Sequence, residues 1–306
     1  MAAPKIVAVG DINADIILRT PLPARGTQVL VEKMEIHGGG CATNFAFACA
    51  RLGAKVKLVA RVGKDLIGEM ILRNLRRGGV DVSGVIAGKG GTGLTLALVD
   101  EKERSFISFR GENEILSLEN IDEKELEGDL VHIPSFFLLR SLQPDYPKLM
   151  KNAKKNGALV SFDTGWDPKG WWSRNRFLLP TIKEANMFFP NLREAAKILE
   201  KKASPQALAR DLIKLGPKIV TIKMGEKGAI AAEADGKIYT SKAFKVKVVD
   251  TTGAGDVFNA GFVVSYLRTK DVDFSLRFGC AAAALSITGV GWEKYPSFKD
   301  VEMMLR

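Results

Sequence analysis

The stretch DTTGAGDVFNAGFV, residues 250–263, places a run of small side chains directly before Asp256. Upstream, Phe244, Val246 and Val248 alternate with lysines, and this period of two predicts a half-buried strand. Downstream, apolar residues recur at helical spacing, which predicts a helix that begins near Asp256. The sequence therefore predicts a strand, a glycine-rich turn and a helix N-terminus in immediate succession.

The glycine-rich turn has the properties of an anion-binding site. The first N–H groups of a helix have no partner within the helix, and the helix dipole adds partial positive charge there. Gly253, Ala254 and Gly255 would let a phosphate approach the backbone, with the Asp256 carboxylate beside it. By itself the pattern is just as often an ordinary turn with a capping aspartate, so other parts of the sequence are needed to distinguish an anion-binding site from a simple turn.

Composition and charge argue against several classes of protein. The 306 residues are 46% hydrophobic, no apolar run is long enough to span a membrane, and the N-terminus is strand-like, so we expect a cytoplasmic enzyme. Three cysteines without a CxxC pair and only two histidines argue against a zinc site. The formal charge of +10 comes from scattered lysines and arginines, which suits anionic substrates better than a nucleic-acid surface.

Strand and helix patterns alternate along the chain, which predicts the α/β class, with a Rossmann-like core sheet and helices on both faces. The predicted strands cover residues 5–10, 56–60, 159–163 and 219–223, and the predicted helices cover residues 44–52, 66–77, 192–199 and 206–215.

Two segments interrupt this alternation and predict a small β appendage. Residues 16–34 have the pattern of paired strands, and so do residues 94–109, in which apolar residues alternate before a turn at 100–103. The core would then comprise residues 1–15, 35–91 and 110–306, and the appendage residues 16–34 and 92–109.

Two nucleotide-binding motifs are not supported. Residues 88–93, GKGGTG, match GxGxxG, but that fingerprint needs a following helix, whereas LTLALVD continues as a strand. A hairpin or hinge is therefore the better interpretation. No Gly-Lys pair is followed by Ser or Thr, so a nucleoside triphosphate would have to bind without a P-loop.

A second glycine cluster lies in HGGGCATNFAFACARLG, residues 37–53. Gly39 and Gly40 precede a predicted helix with Asn44 near its start, so backbone groups and an amide could meet one ligand together. Period two would place three further polar residues on one side of an extended segment: Asp11, Asn13 and Asp15. Carboxylates and amides are suitable partners for the hydroxyls of a sugar or polyol, although each group alone is more often a turn or a cap.

The two glycine clusters, GGxxxN and DTxGAGD, resemble the two signatures of the ribokinase-like (PfkB) carbohydrate kinases. The resemblance spans nearly the whole chain. It includes PNLRE at 190–194, similar to the family's NxxE element, and TIKMGEKGA at 221–229, similar to its nucleotide-side strand and turn. The family resemblance implies a ribokinase-like fold with a β lid and an ATP-dependent transfer of phosphate to a hydroxyl of a small sugar, polyol or nucleoside.

The resemblance implies that Asp256 is the catalytic base and that the backbone amides of Gly253, Ala254, Gly255 and Asp256 form the anion hole. Asn191 and Glu194 would act through water on a Mg²⁺ ion that bridges the nucleotide phosphates, although NxxE alone is more often a capping box.

The resemblance also assigns binding residues. The acceptor side would comprise Asp11, Asn13, Asp15, Gly39, Gly40, Asn44 and Asp256. The nucleotide side would comprise Thr221, Lys223, Gly225, Gly228, Gly253 and Gly255, with small residues of 279–291 around the adenine. Some members bind a monovalent cation where this chain has Asp250 and Thr252.

One departure from the family pattern bears on the acceptor. Ribokinase itself carries a glutamate that reaches the ribose, but residues 131–144 of this chain contain no acidic residue. We therefore expect an acceptor other than ribose, such as inositol, fructose, a keto-deoxy sugar acid or a nucleoside. Arg110 and Glu112 could contact a different substrate or be exposed charges at a hinge.

A rival hypothesis of another class is a non-catalytic sugar-sensing or nucleic-acid-binding protein on a kinase-like scaffold. The presence of Asp256, Asn191 and Glu194 argues against a loss of catalysis, and the scattered charge argues against nucleic acid. Because lids in this family often pair, a homodimer through the lid is a further expectation.

Overall fold

The computed structural model describes residues 2–99 and 104–306, which form two β-sheets with helices around the larger one. The strands are β1 (Lys5–Gly10), β2 (Asn13–Leu18), β3 (Met34–Gly39), β4 (Lys55–Gly63), β5 (Val80–Asp81), β6 (Val85–Gly88), β7 (Gly93–Val99), β8 (Arg104–Phe109), β9 (Leu130–Ile133), β10 (Leu159–Phe162), β11 (Met187–Phe188), β12 (Ile219–Lys223), β13 (Ala229–Glu233) and β14 (Ile238–Ser241). The α-helices are α1 (Cys41–Arg51), α2 (Leu66–Arg77), α3 (Tyr146–Lys155), α4 (Leu178–Glu184), α5 (Leu192–Ile198), α6 (Pro205–Ile213), α7 (Ala254–Thr269), α8 (Val272–Ser286) and α9 (Phe298–Leu305).

The larger sheet has the strand order β14-β13-β12-β11-β10-β9-β1-β4-β5, and β6 also pairs with β4. All its pairs are parallel except those that β13 and β14 make at one edge. Parallel strands present their carboxyl ends along one edge, and this is where open α/β sheets bind ligands. The loops after β1, β10, β11 and β12 therefore converge on one side of the molecule.

Helices cover both faces of the larger sheet, as the sequence predicts. Along β1, Ile6 and Ala8 pack into one core together with α1, α7 and α8, whereas Val7 and Val9 pack into the other with α3, α4 and α6. Successive side chains of a strand point to opposite faces, so a strand covered on both sides is apolar throughout. The segment KIVAVG shows this continuous apolar pattern after its first residue.

The smaller sheet has the order β3-β2-β7-β8, with β2 and β7 parallel and the two outer pairs antiparallel. Its strand β2 begins at Asn13 and its strand β3 runs from Met34 to Gly39, so the bounds 16–34 predicted for the first appendage segment are wrong. Two glycines of the HGGG segment, Gly38 and Gly39, pair with β2 through backbone bonds that need no side chain. The predicted turn at 100–103 lies outside the described residues.

The prediction of a strand at 244–248 is also wrong. Beyond β14 this segment belongs to no strand, and Val248 is 57% exposed. Val249 N–H instead donates to the carbonyl of Ile287, at the end of α8. Exposure alternates only from Phe244 to Lys247, and Val248 and Val249 are both exposed because no partner strand in the described ranges covers them.

Other predictions hold closely. The strands at 5–10 and 219–223 and the helix at 66–77 have the predicted bounds, and GxGxxG is followed by β7 rather than by a helix. No helix in the described ranges combines the length and apolarity that a membrane crossing requires.

Candidate active site

Asp256 lies in the first turn of α7, after the glycine-rich turn. Gly253 caps the helix with a φ of 74°, a left-handed conformation that glycine adopts without strain. A Cβ on Gly253 would lie 2.5 Å from the Tyr295 hydroxyl, so the close approach also excludes a side chain. The Asp256 side chain is buried, and its Oδ2 accepts a hydrogen bond of 3.0 Å from Asn44 Nδ2. The two glycine clusters of the sequence thus meet in one place.

Burial raises the pKa of the Asp256 carboxyl well above its usual value of 3.8. The hydrogen bond from Asn44 and the Lys223 ammonium oppose this rise, whereas the carboxylates of Asp163 and Asp11 add to it. A carboxylate with a raised pKa accepts a proton more readily, which is the property that a general base requires.

Asn44 links Asp256 to the stacked aromatic side chains of Trp292 and Phe47. Its Oδ1 accepts a hydrogen bond of 2.9 Å from Trp292 Nε1, and the Trp292 ring stacks on Phe47 with centroids 4.6 Å apart. A Cβ on Gly38 would lie 2.3 Å from the Trp292 ring. Because both ends of the Asn44 amide are hydrogen-bonded, its Nδ2 is held towards Asp256.

A cavity of about 240 Å³ lies between the smaller sheet and the loops that precede α7 and follow α8. Its polar lining includes Asp15, His37 and Asn44. Burial and the Asp11 carboxylate raise the pKa of Asp15 to about 6, and the Asp250 carboxylate adds to this while His37 opposes it. The cavity therefore combines carboxylate, imidazole and amide groups that can bind hydroxyls.

Two glycines of the HGGG cluster lie against a carboxyl group and the backbone beside this cavity. A Cβ on Gly39 would lie 2.2 Å from Asp15 Oδ2. Gly40 precedes α1 with a φ of 95°, and a Cβ there would lie 2.7 Å from the carbonyl oxygen of Asp11. Both positions need glycine because no side chain fits.

Asp11 and Asn13 are buried beside the cavity but do not line it in the described structure. Asp11 Oδ1 accepts hydrogen bonds from the Ala42 N–H at 3.2 Å and from Ser135 Oγ at 2.8 Å. Asn13 Oδ1 accepts a hydrogen bond of 2.9 Å from Asn113 Nδ2. Of the three polar residues at the N-terminus, the structure brings Asp15 alone to the cavity.

Arg110 and Glu112 lie away from the cavity lining in the described ranges. Arg110 Nη2 donates to the Leu138 carbonyl at 3.0 Å. Glu112 is 3% exposed, forms an ion pair of 2.7 Å with Arg61 and accepts a hydrogen bond of 2.6 Å from the Gly90 N–H. The idea that Glu112 is an exposed charge is therefore wrong, because it anchors the GKGGTG loop to the core.

Lys223, the last residue of β12, belongs to a buried polar cluster. Its Nζ donates to Asp163 Oδ2 at 2.5 Å and to Asn259 Oδ1 at 3.3 Å, and Asn259 Nδ2 donates to the same Asp163 oxygen at 2.7 Å. Burial alone would lower the pKa of Lys223, but the carboxylates of Asp163 and Glu194 raise it above its usual value. Lys223 is therefore a charged ammonium in this structure.

Asn191 and Glu194 form a capping box at the start of α5. Asn191 Oδ1 accepts from the Glu194 N–H at 2.9 Å, and Glu194 Oε2 accepts from the Asn191 N–H at 2.8 Å. Burial and the Asp163 carboxylate raise the pKa of Glu194 to about 8, against the opposing effect of Lys223. Within the described ranges, no three acidic, histidine or cysteine side chains group as metal ligands.

The predicted nucleotide-side residues follow β12. Thr221 is fully buried, and its hydroxyl has no partner among the described groups. Gly225 begins a short 3-10 turn, and Gly228 follows with a φ of 88°, where a Cβ would lie 2.0 Å from the Ser241 carbonyl oxygen. This geometry fixes a tight turn beside the carboxyl end of β12.

The residues at the candidate cation site form a local turn. Asp250 Oδ1 accepts hydrogen bonds from Thr252 N–H at 3.1 Å and from Thr252 Oγ1 at 2.9 Å. Further along, Gly279 lies within α8 at its contact with α7, where a Cβ would be 2.9 Å from the Phe258 carbonyl oxygen. Gly279 is thus a helix-packing residue.

Sequence analysis missed four residues of this region: Asn113, Asp163, Asn259 and Trp292. Asp163 could have been found, because it ends a predicted strand at the edge where parallel strands bind ligands. Asn259 lies one helical turn after Asp256, so helical spacing could have placed it nearby. Asn113 and Trp292 have no comparable signal in the sequence.

Comparison with known proteins gives consistent results. A family model described as pfkB family carbohydrate kinase matches residues 3–295. An ATP-dependent ribose-1-phosphate kinase of Halopiger xanaduensis is 32% identical over 306 residues, 98% of each chain. A 5-dehydro-2-deoxygluconokinase of Clostridium perfringens is 29% identical over 263 residues, 81% of this chain and 78% of that one. The structure of Arabidopsis thaliana ribokinase with ribose and ATP matches with a TM-score of 0.87 and 26% identity, over 100% of this chain and 99% of that chain.

Proposed function

Because this chain belongs to the pfkB family of carbohydrate kinases, we propose that it transfers the terminal phosphate of ATP to a hydroxyl of a small sugar, polyol or nucleoside. Asp256 takes the proton of that hydroxyl, and the backbone amides of residues 253–256 form the anion hole. One arrangement supports this function above all: a buried carboxyl lies at a helix N-terminus, and its hydrogen-bond partner Asn44 lines a cavity that also carries Asp15 and His37.

The transfer requires charge neutralisation as well as a base. Phosphoryl transfer depends on in-line positioning and on cations that balance the phosphate charge. Asn191 and Glu194, which lie together at the start of α5, would hold a Mg²⁺ ion through its water shell, because amide and carboxylate oxygens accept hydrogen bonds from metal-bound water. When bound, Mg²⁺ would supply positive charge that offsets the negative charge of the nucleotide phosphates.

The acceptor is the least constrained part of this function. The relatives are named for ribose 1-phosphate and 5-dehydro-2-deoxygluconate, and a solved neighbour holds ribose. Asp15 and His37 give the cavity both an acceptor and a donor of hydrogen bonds, which suits several hydroxyls at once. The missing glutamate in residues 131–144 argues against ribose.

A panel of acceptors with ATP and Mg²⁺ tests this function. The panel contains ribose, ribose 1-phosphate, fructose, myo-inositol, 2-keto-3-deoxygluconate, 5-dehydro-2-deoxygluconate and nucleosides. We expect one class to be preferred at least about tenfold in kcat/KM, because a buried carboxylate left without its hydroxyl is costly. Ribose is not expected to lead.

Two aspartate variants, one in the cavity and one at the surface, provide the matched control for the panel. Asp15→Ala should abolish the acceptor preference more than it weakens ATP binding, whereas Asp235→Ala, at an exposed turn, should change neither. A panel led by ribose would show that the missing glutamate was misinterpreted. Normal ATP binding without phosphorylation of any acceptor would favour a sugar-sensing protein instead.

The smaller sheet also supports a homodimer. One face carries a cross-strand row of Ile36, Ile16, Leu96 and Ile107, and the opposite face contributes residues such as Asp15 and His37 to the cavity. Ile36 is 42% exposed and Ile107 is 57% exposed. A contiguous apolar row on an exposed sheet face is typical of an interface, so we assign this face to a second copy of the chain and the sheet to a lid over the cavity.

A further inference from the structure

Lys223 lies directly against the proposed anion hole. Its Nζ is 3.6 Å from the position that a Cβ on Gly255 would occupy, so the ammonium faces the first turn of α7. The N–H groups of this turn have no partner within the helix. The Lys223 side chain is 15% exposed, which shows that it reaches the edge of the buried cluster. A phosphate oxygen bound by these amides would therefore lie next to the ammonium.

The ammonium is held in place by two partners. Nζ donates to Asp163 Oδ2 and to Asn259 Oδ1, and an ammonium has three N–H groups. Asp163 is itself fixed, because Asn259 donates to its Oδ2 and the Gly165 N–H donates to its Oδ1 at 3.0 Å. These contacts leave one N–H of Lys223 for a ligand.

The ionisable groups that raise the pKa of Lys223 are carboxyl groups. Three carboxyl groups act on it electrostatically, those of Asp163, Glu194 and Asp256. A phosphoryl group that enters this site brings further negative charge, and transfer to a hydroxyl increases the charge on the departing phosphate. A fixed cation at this position offsets that charge without reorganisation.

We propose that Lys223 donates its remaining N–H to the phosphoryl group during transfer, so that Lys223 is a catalytic residue and Asp163 and Asn259 are positioning residues. This deepens the proposed function and rests on it. The acceptor oxygen forms a bond to the γ-phosphorus, the bond from that phosphorus to the β–γ bridging oxygen breaks, and ADP leaves. The acceptor proton goes to Asp256, and Lys223 keeps its own protons.

Two kinds of measurement on Lys223→Met test this role. The turnover number should fall by about 10² to 10³, the usual loss for one charge-stabilising donor, with the acceptor KM nearly unchanged. In equilibrium binding, the non-hydrolysable β,γ-imido analogue of ATP should bind several-fold more weakly, whereas ADP should bind as in the wild type. Lys218→Met, at the exposed residue directly before the same strand, is the control and should change neither quantity.

A second variant separates catalysis from stability. Lys223→Met leaves the buried Asp163 carboxylate unpaired, whereas Lys223→Met with Asp163→Asn removes both charges and should fold. The double variant should remain as slow as the single one, because the ammonium is still absent.

Three results would overturn the assignment. The first is that kcat of the double variant recovers to near the wild-type value. The second is that Lys223→Met weakens the binding of ADP and of the imido analogue equally. The third is that kcat of Lys223→Met is unchanged. If the wild type phosphorylates no acceptor, the proposed function fails by itself, and the comparison of the two nucleotides still decides whether Lys223 contacts the terminal phosphate.

Discussion

At the scale of single residues, the chemistry depends on how Asp256 is held. Trp292 fixes Asn44, and Asn44 donates to the Asp256 carboxyl, so the orientation of the proposed base is set by a ring almost forty residues along the chain. The amide keeps one carboxyl oxygen occupied. The other oxygen can then accept the proton of the acceptor hydroxyl.

We expect Asp256→Asn to keep the fold and most of the nucleotide affinity while kcat falls by about 10² to 10⁴, the usual contribution of a positioned general base. The amide has nearly the same shape as the carboxyl but cannot take a proton. Steady-state kinetics, with ATP binding measured separately, provide the check. A variant that keeps more than about half of the wild-type kcat would remove Asp256 from the mechanism.

The pH profile gives an independent view of the same residue. Only ionised Asp256 can accept a proton, so activity should rise with pH as this carboxyl ionises. Because burial raises its pKa well above 3.8, the acidic limb of kcat/KM should lie above the range of an ordinary aspartate. A limb that remains near 3.8 would show that the base is solvated in the working enzyme.

At the scale of secondary-structure elements, α5 combines a structural and a chemical task. The capping box of Asn191 and Glu194 satisfies N–H groups at its start, and the same two side chains are assigned to the waters of Mg²⁺. A substitution that breaks the cap would therefore lower stability and activity together. Glutamine at 194 preserves the cap, since Gln also serves in capping boxes, and removes only the charge.

Glu194→Gln should raise the Mg²⁺ concentration needed for half-maximal rate and leave the acceptor KM nearly unchanged. The melting temperature should stay close to that of the wild type because the cap is retained. Metal titration of the initial rate, with thermal unfolding as the control, checks both points. A shifted acceptor KM with normal Mg²⁺ dependence would place Glu194 in the acceptor site instead.

The elements also show which features the sequence could predict. Strands covered on both faces, such as Ile219–Lys223, are continuous apolar runs, and α2 has a strong amphipathic period with a capping Asp65. These local patterns determine the element bounds directly. The segment 244–248 has an equally clear pattern, but whether it becomes a strand depends on a neighbouring edge, which local sequence does not specify.

The site was predictable only in part, for a related reason. Asp256 and Asn44 can be recognised from the sequence because they lie in the DTxGAGD and GGxxxN motifs. By contrast, Asp163 and Asn259 are 96 positions apart, and Asn13 and Asn113 are 100 apart, so their hydrogen bonds arise from tertiary structure alone. Burial has the same origin, which explains why Glu112 could be mistaken for an exposed charge.

At the scale of the whole molecule, the smaller sheet, which we propose as a lid, separates two surfaces. Its inner face contributes to the cavity, and its outer face carries the row of Ile36, Ile16, Leu96 and Ile107. Pairing of two lids would bury this row and would place the two cavities on opposite sides of one interface. Oligomeric state and cavity closure would then be linked.

We expect the wild type to be a dimer by light scattering coupled to gel filtration and Ile36→Glu with Ile107→Glu to be a monomer, because charges would have to be buried at the interface. Leu66→Glu, at an exposed position 83% accessible on α2, is the matched control and should leave the mass unchanged. A monomeric wild type, or a double variant that remains dimeric, would assign the row a different role.

The parallel pairing of β2 with β7 has a consequence for how this architecture can be recombined. Antiparallel partners can be joined by a tight turn and exchanged as one hairpin, but parallel partners need a long connection. Here the connection between β2 and β7 includes α1, β4 and α2 of the larger unit. A graft of residues 13–39 alone, or of residues 93–109 alone, would leave an unpaired strand edge open to other chains. The smaller sheet is thus not a transferable module, and a chimaera that includes it must also include the intervening core segment.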